Sequence, residues 1–228
     1  MNLYFLLEDS KSFFYVFPKW MKIILPQFSE INALPKFCNN DKCFLIESGF
    51  GYPSIKNHFE QSLCTIVENN IPVDYFIVCW DTDARANDEV ELDMSDFKNI
   101  FSKYPSSFEL RLLVINRCFE TWLLGNRQVY LSSCTKEKML PFIEFYNVGK
   151  YDPEKMYAPV DDSISNYHYK YLQEMLRNSC PKKNYSKGRP LAVSTKEYYE
   201  ELYSRISDTD DLNTFRIFIE FLKSINYQ

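Results

Sequence analysis

The stretch Asp74-Tyr-Phe-Ile-Val-Cys-Trp80 is an almost continuous apolar run that ends directly at Asp81-Thr82-Asp83. A short run of aromatic and β-branched residues without polar alternation is typical of a strand that is buried on both faces, as in a parallel sheet. Asp81 and Asp83 project to the same side in extended backbone, because successive side chains alternate between two faces. The sequence therefore predicts a buried strand with two carboxylates at its carboxyl end.

Three further apolar runs occur in the chain, and segments with helical character lie between them. The runs are residues 2–7, 43–46 and 110–115. Helices are predicted at 11–25, with a break or a late start at Pro18, from Pro53 to about 69, at 88–103 and at 118–126. Strands that alternate with helices predict an α/β fold, with a parallel sheet that helices cover on both faces.

This alternating pattern occupies residues 1–126, which we interpret as one α/β domain. After it, residues 130–165 show no clear periodicity, and helices are predicted at about 167–178, 195–206 and 210–225. Residues 127–228 are therefore expected to form a mostly helical C-terminal extension that carries a basic loop.

Composition limits the classes of function. The chain of 228 residues has 26 Lys and Arg against 31 Asp and Glu, a net charge of −5, so contact with nucleic acid requires a local basic patch or a bound metal. Seven scattered Cys without a C-x-x-C pair favour a reduced cytoplasmic protein over a disulfide scaffold or a zinc site. The sequence shows neither a signal peptide nor a run of about 18 apolar residues, so no membrane association is expected.

Acidic residues follow several of the predicted strands. Glu8 comes directly after the first strand, Asp81 and Asp83 end the third, and Glu120 follows the fourth after a short turn. Ligands of open parallel sheets bind at the carboxyl ends of the strands, where these side chains are expected to converge. Clustered carboxylates of this kind suit a hard cation such as Mg²⁺ or Mn²⁺. The alternative for each acid alone is a helix cap or a turn residue.

Two segments resemble the Toprim domain, which is shared by topoisomerases, primases and OLD-type nucleases. They are Leu3-Tyr-Phe-Leu-Leu-Glu8 and Cys79-Trp-Asp-Thr-Asp83. The Toprim signature is one Glu after the first strand and an Asp-x-Asp after the third. The resemblance implies a Toprim-like fold over about the first 126 residues.

A third segment narrows this resemblance. Asn116-Arg-Cys-Phe-Glu-Thr-Trp-Leu-Leu124 is similar to the Asn-Pro-x-Phe-Glu-x-Trp-Leu-Leu segment of RloB-type proteins. Those proteins belong with the AriB-type effectors of PARIS systems among prokaryotic phage-defence Toprim proteins. The resemblance therefore implies a toxic effector of an anti-phage defence system, together with a partner ATPase of the ABC/SMC-like type.

The resemblance also implies roles for individual residues. Glu8 would act as the general acid/base, Asp81 and Asp83 would hold Mg²⁺ together with Glu8, and Glu120 would be a further catalytic acid on the same rim. The sequence departs from the family at Asp9, where Gly is usual, and at Ser12-Phe13, where Thr-Glu is expected. The missing acid puts a second metal in doubt.

The expected function is that of a Mg²⁺-dependent nuclease acting on DNA or RNA, with tRNA as a possible substrate. The alternative is a non-catalytic subunit with a degenerate Toprim site that binds nucleic acid or the ATPase. A nucleotide-sugar transferase would leave Glu8 unexplained, and an Asp-nucleophile phosphatase requires its Asp-x-Asp after the first strand. Substrate preference, trigger and oligomeric state stay open, and a homo-oligomer is one possibility.

Residues 177–189 contain five basic residues and no acid. Lys182, Lys183, Lys187 and Arg189 are the candidate contacts for a nucleic-acid backbone, and Tyr185 is a candidate for base stacking. The alternative is a solvated surface loop. We expect this basic loop to lie apart from the acidic rim.

One histidine is a further candidate. His168 lies among Tyr167, Tyr169 and Tyr171, so it is weighed as a nucleotide contact against a place in the core.

Overall fold

The computed structural model describes residues 1–179 and 185–226. Within them, the strands form one parallel sheet with the order β2-β3-β1-β4-β5. The strands are β1 (Asn2–Leu7), β2 (Ser29–Glu30), β3 (Cys43–Ser48), β4 (Tyr75–Asp81) and β5 (Glu109–Ile115). The predicted α/β class and parallel sheet are confirmed.

Helices flank the sheet and make up most of the C-terminal part. They are α1 (Ser12–Ile24), α2 (Ser54–Glu68), α3 (Asn87–Phe101), α4 (Phe119–Leu123), α5 (Arg127–Ser133), α6 (Leu140–Phe145), α7 (Ile164–Ser179), α8 (Lys196–Asp208) and α9 (Asn213–Ile225). The mostly helical C-terminal part is confirmed as well. No helix in the described ranges is both long and apolar enough to cross a membrane.

The two faces of the sheet support two hydrophobic cores. Leu3, Phe5 and Leu7 of β1 face a core shared with α1 and the C-terminal helices, because alternate side chains of a strand share a face. Tyr4 and Leu6 face a second core, which β1 shares with α2 and α3. The expected domain boundary at residue 126 falls between α4 and α5, and the first core contains residues from both sides of it.

The expected interruption of the first helix is wrong. Helix α1 begins at Ser12 and continues to Ile24 with Pro18 in its interior. A proline there removes one helical hydrogen bond, at a cost of about 3 kcal/mol. Phe13, Phe17 and Trp20 are buried from the same helix, and this packing against the sheet outweighs the local penalty.

The register between the central strands β1 and β4 brings the acids at their ends together. β1 pairs with β4 over Leu3–Leu7, and the Glu8 amide continues this ladder by donating to the Cys79 carbonyl oxygen at 2.9 Å. The end of β1 therefore lies directly beside the end of β4, which is Asp81.

Candidate active site

A cleft of about 320 Å³ opens at the carboxyl ends of β1 and β4. Glu8, Asp81, Asp83 and Glu120 all line it. The structure therefore brings together the four acids that the strand ends predict, from three separate segments of the chain. Parallel pairing produces this convergence, because the two central strands end at the same edge of the sheet.

The carboxylate of Glu8 is held in place by backbone. Its Oε2 accepts a hydrogen bond from the amide of Asp81 at 2.9 Å, and it lies 4.0 Å from a terminal guanidinium nitrogen of Arg85. Burial raises the pKa of Glu8 above its usual value, against the lowering effects of the Asp81 amide and of Arg85. Glu8 is thus a positioned carboxyl group whose proton affinity is increased.

Among the acids of the cleft, Asp81 has the fewest contacts that would stabilise its negative charge. Burial and the carboxylates of Glu8, Asp83 and Glu120 raise its pKa well above the usual value. None of the hydrogen bonds within the described residues reaches its carboxylate oxygens, while its backbone carbonyl accepts one from Arg85. An ionised Asp81 therefore has a strong need for a positive partner.

Asp83 lies at the opening of the same cleft. Burial raises its pKa, and the cations Arg85 and Lys187 act against that rise. Its backbone has a φ of +49°, and Phe50 on the rim has +56°. The Asp83 amide donates to the carbonyl of Arg117, whose φ is +72°. Such left-handed conformations of non-glycine residues cost energy and cluster at functional sites.

Arg85 is a site residue that sequence reasoning missed. Its guanidinium forms an ion pair with the buried Asp93 at 2.9 Å and stacks over the Tyr52 ring at 4.3 Å. Asp93 also pairs with Lys56 at 3.0 Å, so the guanidinium is anchored from α2 and α3. The signal was present, because Arg85 is the single basic residue among eight acids in residues 74–96.

Glu120 is buried, and both of its carboxylate oxygens have partners. Its Oε1 accepts hydrogen bonds from the Tyr185 hydroxyl at 2.8 Å and from Ser12 Oγ at 3.3 Å. Lys187 Nζ lies 3.7 Å from its Oε2. This arrangement is typical of a group that positions its neighbours, and it ties residues 185–187 to the cleft.

The basic loop is placed differently from the expectation. Lys187 lines the acidic cleft, so the loop does not stand apart from the acids. Tyr185 is buried against Glu120, so the expected role in base stacking is wrong. Arg189 is exposed in a turn that its amide closes on the Ser186 carbonyl at 2.9 Å. Lys182 and Lys183 lie outside the described residues.

The departures from the Toprim pattern have structural roles. Asp9, in place of the usual Gly, accepts hydrogen bonds from the amides of Lys11 at 2.6 Å and Phe13 at 3.0 Å, which caps the first turn of α1. Ser12, in place of the expected Thr, connects Asp9 to Glu120 through its hydroxyl, and Phe13, in place of the expected Glu, is buried in the core.

His168 does not reach the cleft. It is completely buried in α7, and its Nδ1 lies 2.8 Å from Thr121 Oγ1. Burial lowers its pKa to about 4. Of the two alternatives weighed for His168, the structure supports the place in the core and not the nucleotide contact.

The carboxylates of the cleft can be compared with the ligands that a hard cation requires. Within residues 1–179 and 185–226, no three His, Cys, Asp or Glu side chains form a group that could enclose a metal ion. Mg²⁺, however, usually keeps several waters and binds through one or two carboxylates. The uncompensated carboxylate of Asp81, beside Glu8 and Asp83, fits such a hydrated ion and does not fit a closed protein cage.

The fold and the cleft define a class: a parallel α/β protein with a carboxylate cleft at the carboxyl edge of its sheet. Comparison with known proteins found no matching family model, no matching curated protein and no matching solved structure. The cleft and the motifs that resemble Toprim are therefore the features of this chain that point to a function.

Proposed function

We propose that the cleft is the active site of a metal-dependent nuclease that hydrolyses phosphodiester bonds in DNA or RNA. The observation that carries this proposal is the convergence of Glu8, Asp81 and Asp83 in one cleft, where burial raises the pKa of each carboxyl group. Perturbed acids in a cleft are typical of catalytic and metal-binding sites. The order of these acids along the strands also resembles the Toprim signature.

The acids have separate roles in this proposal. Asp81, with Asp83 or Glu8, would hold Mg²⁺ or Mn²⁺, which supplies polarisation of a phosphoryl oxygen and stabilisation of negative charge. Glu8 would take a proton from the attacking water or return one to the leaving oxygen. Its raised pKa suits that role, since a general base works best with a pKa near the working pH.

Cations and an aromatic residue at the cleft suit a nucleic-acid substrate. Arg85 beside Glu8, and Lys187 and Lys11 in the lining, supply positive charge for phosphate oxygens. Phe50 on the rim is 69% exposed and offers a ring face to a base. The cleft thus combines carboxylates that can bind a metal cation with basic side chains that can bind the phosphates of a nucleic acid.

Two observations favour the non-catalytic alternative. Lys187 reaches into the cleft beside Glu120, and Ser12-Phe13 replaces the acid that a second metal would require. In that alternative, Lys187 supplies the positive charge of the cleft, and the surface binds nucleic acid or an ATPase without cleavage. A measurement of metal binding distinguishes the metal-dependent nuclease from the non-catalytic alternative.

The biological setting rests on the resemblance to RloB- and AriB-type proteins. It suggests a cytoplasmic toxic effector of anti-phage defence that a partner ATPase restrains or releases. Co-expression with an ATPase encoded beside it, followed by co-purification and a phage-challenge assay, tests this part separately from the chemistry.

The decisive experiment measures cleavage of DNA and of total RNA in Mg²⁺, with and without the partner ATPase. Glu8→Gln and Asp81→Asn remove charge at nearly constant shape, and Glu91→Gln on the exposed face of α3 is the matched control. We expect cleavage by the native chain and the control, and a loss of about 10²-fold or more in each of the two site variants. Cleavage that survives both site changes would contradict the proposal.

A second measurement covers the case of an inactive native chain. Isothermal titration with Mn²⁺ should show binding to the native chain that Asp81→Asn abolishes. Nucleic-acid binding without Mn²⁺ binding would establish the non-catalytic alternative.

A further inference from the structure

The outer edge of strand β5 has unpaired backbone. Within the described residues, β5 pairs with β4 on one side and with no strand on the other. The Glu109 amide donates to the Asp74 carbonyl, and the Ile115 carbonyl accepts from Thr82, so the odd-numbered residues of β5 face β4. Alternate residues of a parallel strand face opposite neighbours, so the peptide groups of Leu110 and Leu112 face outward.

This edge lacks two of the devices that commonly block strand pairing. β5 runs through seven residues, contains no proline, and keeps an uninterrupted register with β4 without a bulge. The edge forms the floor of a groove of about 630 Å³ between α3 and α9. Phe101 and Phe221 contribute to the walls, so the groove is partly apolar.

Two charged residues on β5 limit which strand could pair with its outer edge. Glu109 and Arg111 are on the same face of the strand, are 60% and 48% exposed, and form an ion pair at 2.8 Å. A second β5 strand, antiparallel to the first and centred on Leu110, would place Glu109 of each copy opposite Arg111 of the other. The strand is therefore complementary to itself in charge as well as in backbone hydrogen bonding.

We propose that two copies of this chain pair antiparallel through β5, with a two-fold axis at Leu110, and so extend the sheet across the dimer. In this register Leu110 exchanges both of its outward backbone hydrogen bonds with Leu110 of the partner copy, and two Glu109–Arg111 pairs form across the interface. Leu112 then lies opposite Phe108, just before the strand of the partner copy, so the strands themselves overlap over Glu109–Arg111. A register centred on Arg111 would instead place the two Arg111 side chains opposite each other, which like charges disfavour. A register centred on Leu112 would overlap the whole strand but would set Arg111 opposite the buried Leu113 and Glu109 opposite the buried Ile115, so neither charge would face an opposite charge. The interface is isologous, as expected of a two-fold dimer.

The test uses charge exchange at these two exposed positions. Glu109→Arg places Arg opposite Arg, and Arg111→Glu places Glu opposite Glu. In an equimolar mixture of the two variants, each Arg of one chain again faces a Glu of the other. We expect the native chain to dimerise with rising concentration in analytical ultracentrifugation, each variant alone to dissociate at least about tenfold more readily, and the mixture to recover dimers.

The controls keep the proposal falsifiable. Lys150→Glu, a charge change at an exposed residue outside β5 and outside the residues that line its groove, should dimerise like the native chain. Circular dichroism confirms that each variant is folded. A native chain that is monomeric at every concentration, variants that dimerise as tightly as the native chain, or a mixture no tighter than its components would each overturn the proposal.

Discussion

The carboxylate of Glu8 accepts a hydrogen bond from the backbone amide of Asp81, with 2.9 Å between Oε2 and the amide nitrogen. This contact joins the ends of β1 and β4, so the acid of the first motif and the first Asp of the Asp-x-Asp motif form one unit. The ladder bond between the Glu8 amide and the Cys79 carbonyl fixes the same corner from the backbone side. The position of Glu8 is thus set by the sheet itself.

Glu8→Gln separates the charge of this residue from its position. The amide oxygen of Gln can still accept from Asp81, so we expect the melting temperature to stay within about 2 °C of the native value, a shift of less than about 1 kcal/mol. Nuclease activity should fall by about 10²–10⁴-fold, the usual contribution of a general acid or base. Cleavage rates and thermal melts check both parts, and full activity in Glu8→Gln would exclude proton transfer by this residue.

Asp81→Asn tests whether the fold is strained by uncompensated charge. Asp81 is surrounded by other carboxylates and has no hydrogen-bond donor at its side chain among the described residues. We expect the variant to melt roughly 2–4 °C higher than the native chain in chelator at pH 7.5, which is about 1 kcal/mol for a chain of this size. Added Mn²⁺ should raise the melting temperature of the native chain only. A variant that melts lower in chelator would contradict this interpretation of the cleft.

Lys187→Met tests the basic side of the cleft. The ammonium group lies 3.7 Å from Glu120 and lowers the pKa of Asp83, so its loss makes the cleft more negative. We expect Mn²⁺ to bind more tightly and nucleic acid more weakly, with the salt slope of nucleic-acid binding reduced by about 1. The exposed Lys150→Met is the matched control. An unchanged salt slope would remove Lys187 from the contacts with phosphate.

The central sheet and the acids at its edge could be predicted because they depend on local pattern and on one topological rule. The apolar run before Asp81 specifies a buried strand, and the run before Glu8 specifies another. Parallel strands place their carboxyl ends together whatever the loops do. The convergence of Glu8 and Asp81 therefore follows from strand order and register, which the structure confirms.

The contacts that complete the cleft could not be predicted, because they join segments far apart in the chain. Tyr185 contacts Glu120 across 65 residues of the chain, and no periodicity in the sequence signals that contact. Arg85 is orientated by Asp93, which is eight residues away on the next helix. The continuous helix at Pro18 is a similar case, in which tertiary packing overrides a local preference.

His168 predicts a pH dependence of stability that is independent of the cleft chemistry. Burial lowers its pKa to about 4 in the folded state, against an ordinary value of 6.5. Between these values the unfolded chain binds a proton that the folded chain does not. The stabilising contribution is therefore present above pH 6.5 and is lost as the pH falls toward 4, by up to about 3 kcal/mol.

His168→Gln should make this loss shallower, because Gln can bond to Thr121 without titrating. Urea unfolding at several pH values between 7 and 4.5 measures the slope, and His58→Gln on the partly exposed surface of α2 is the matched control. An acid slope in His168→Gln as steep as that of the native chain would show that carboxylates, and not this buried imidazole, set the acid sensitivity. The neutral histidine beneath α4 would then be a packing residue only.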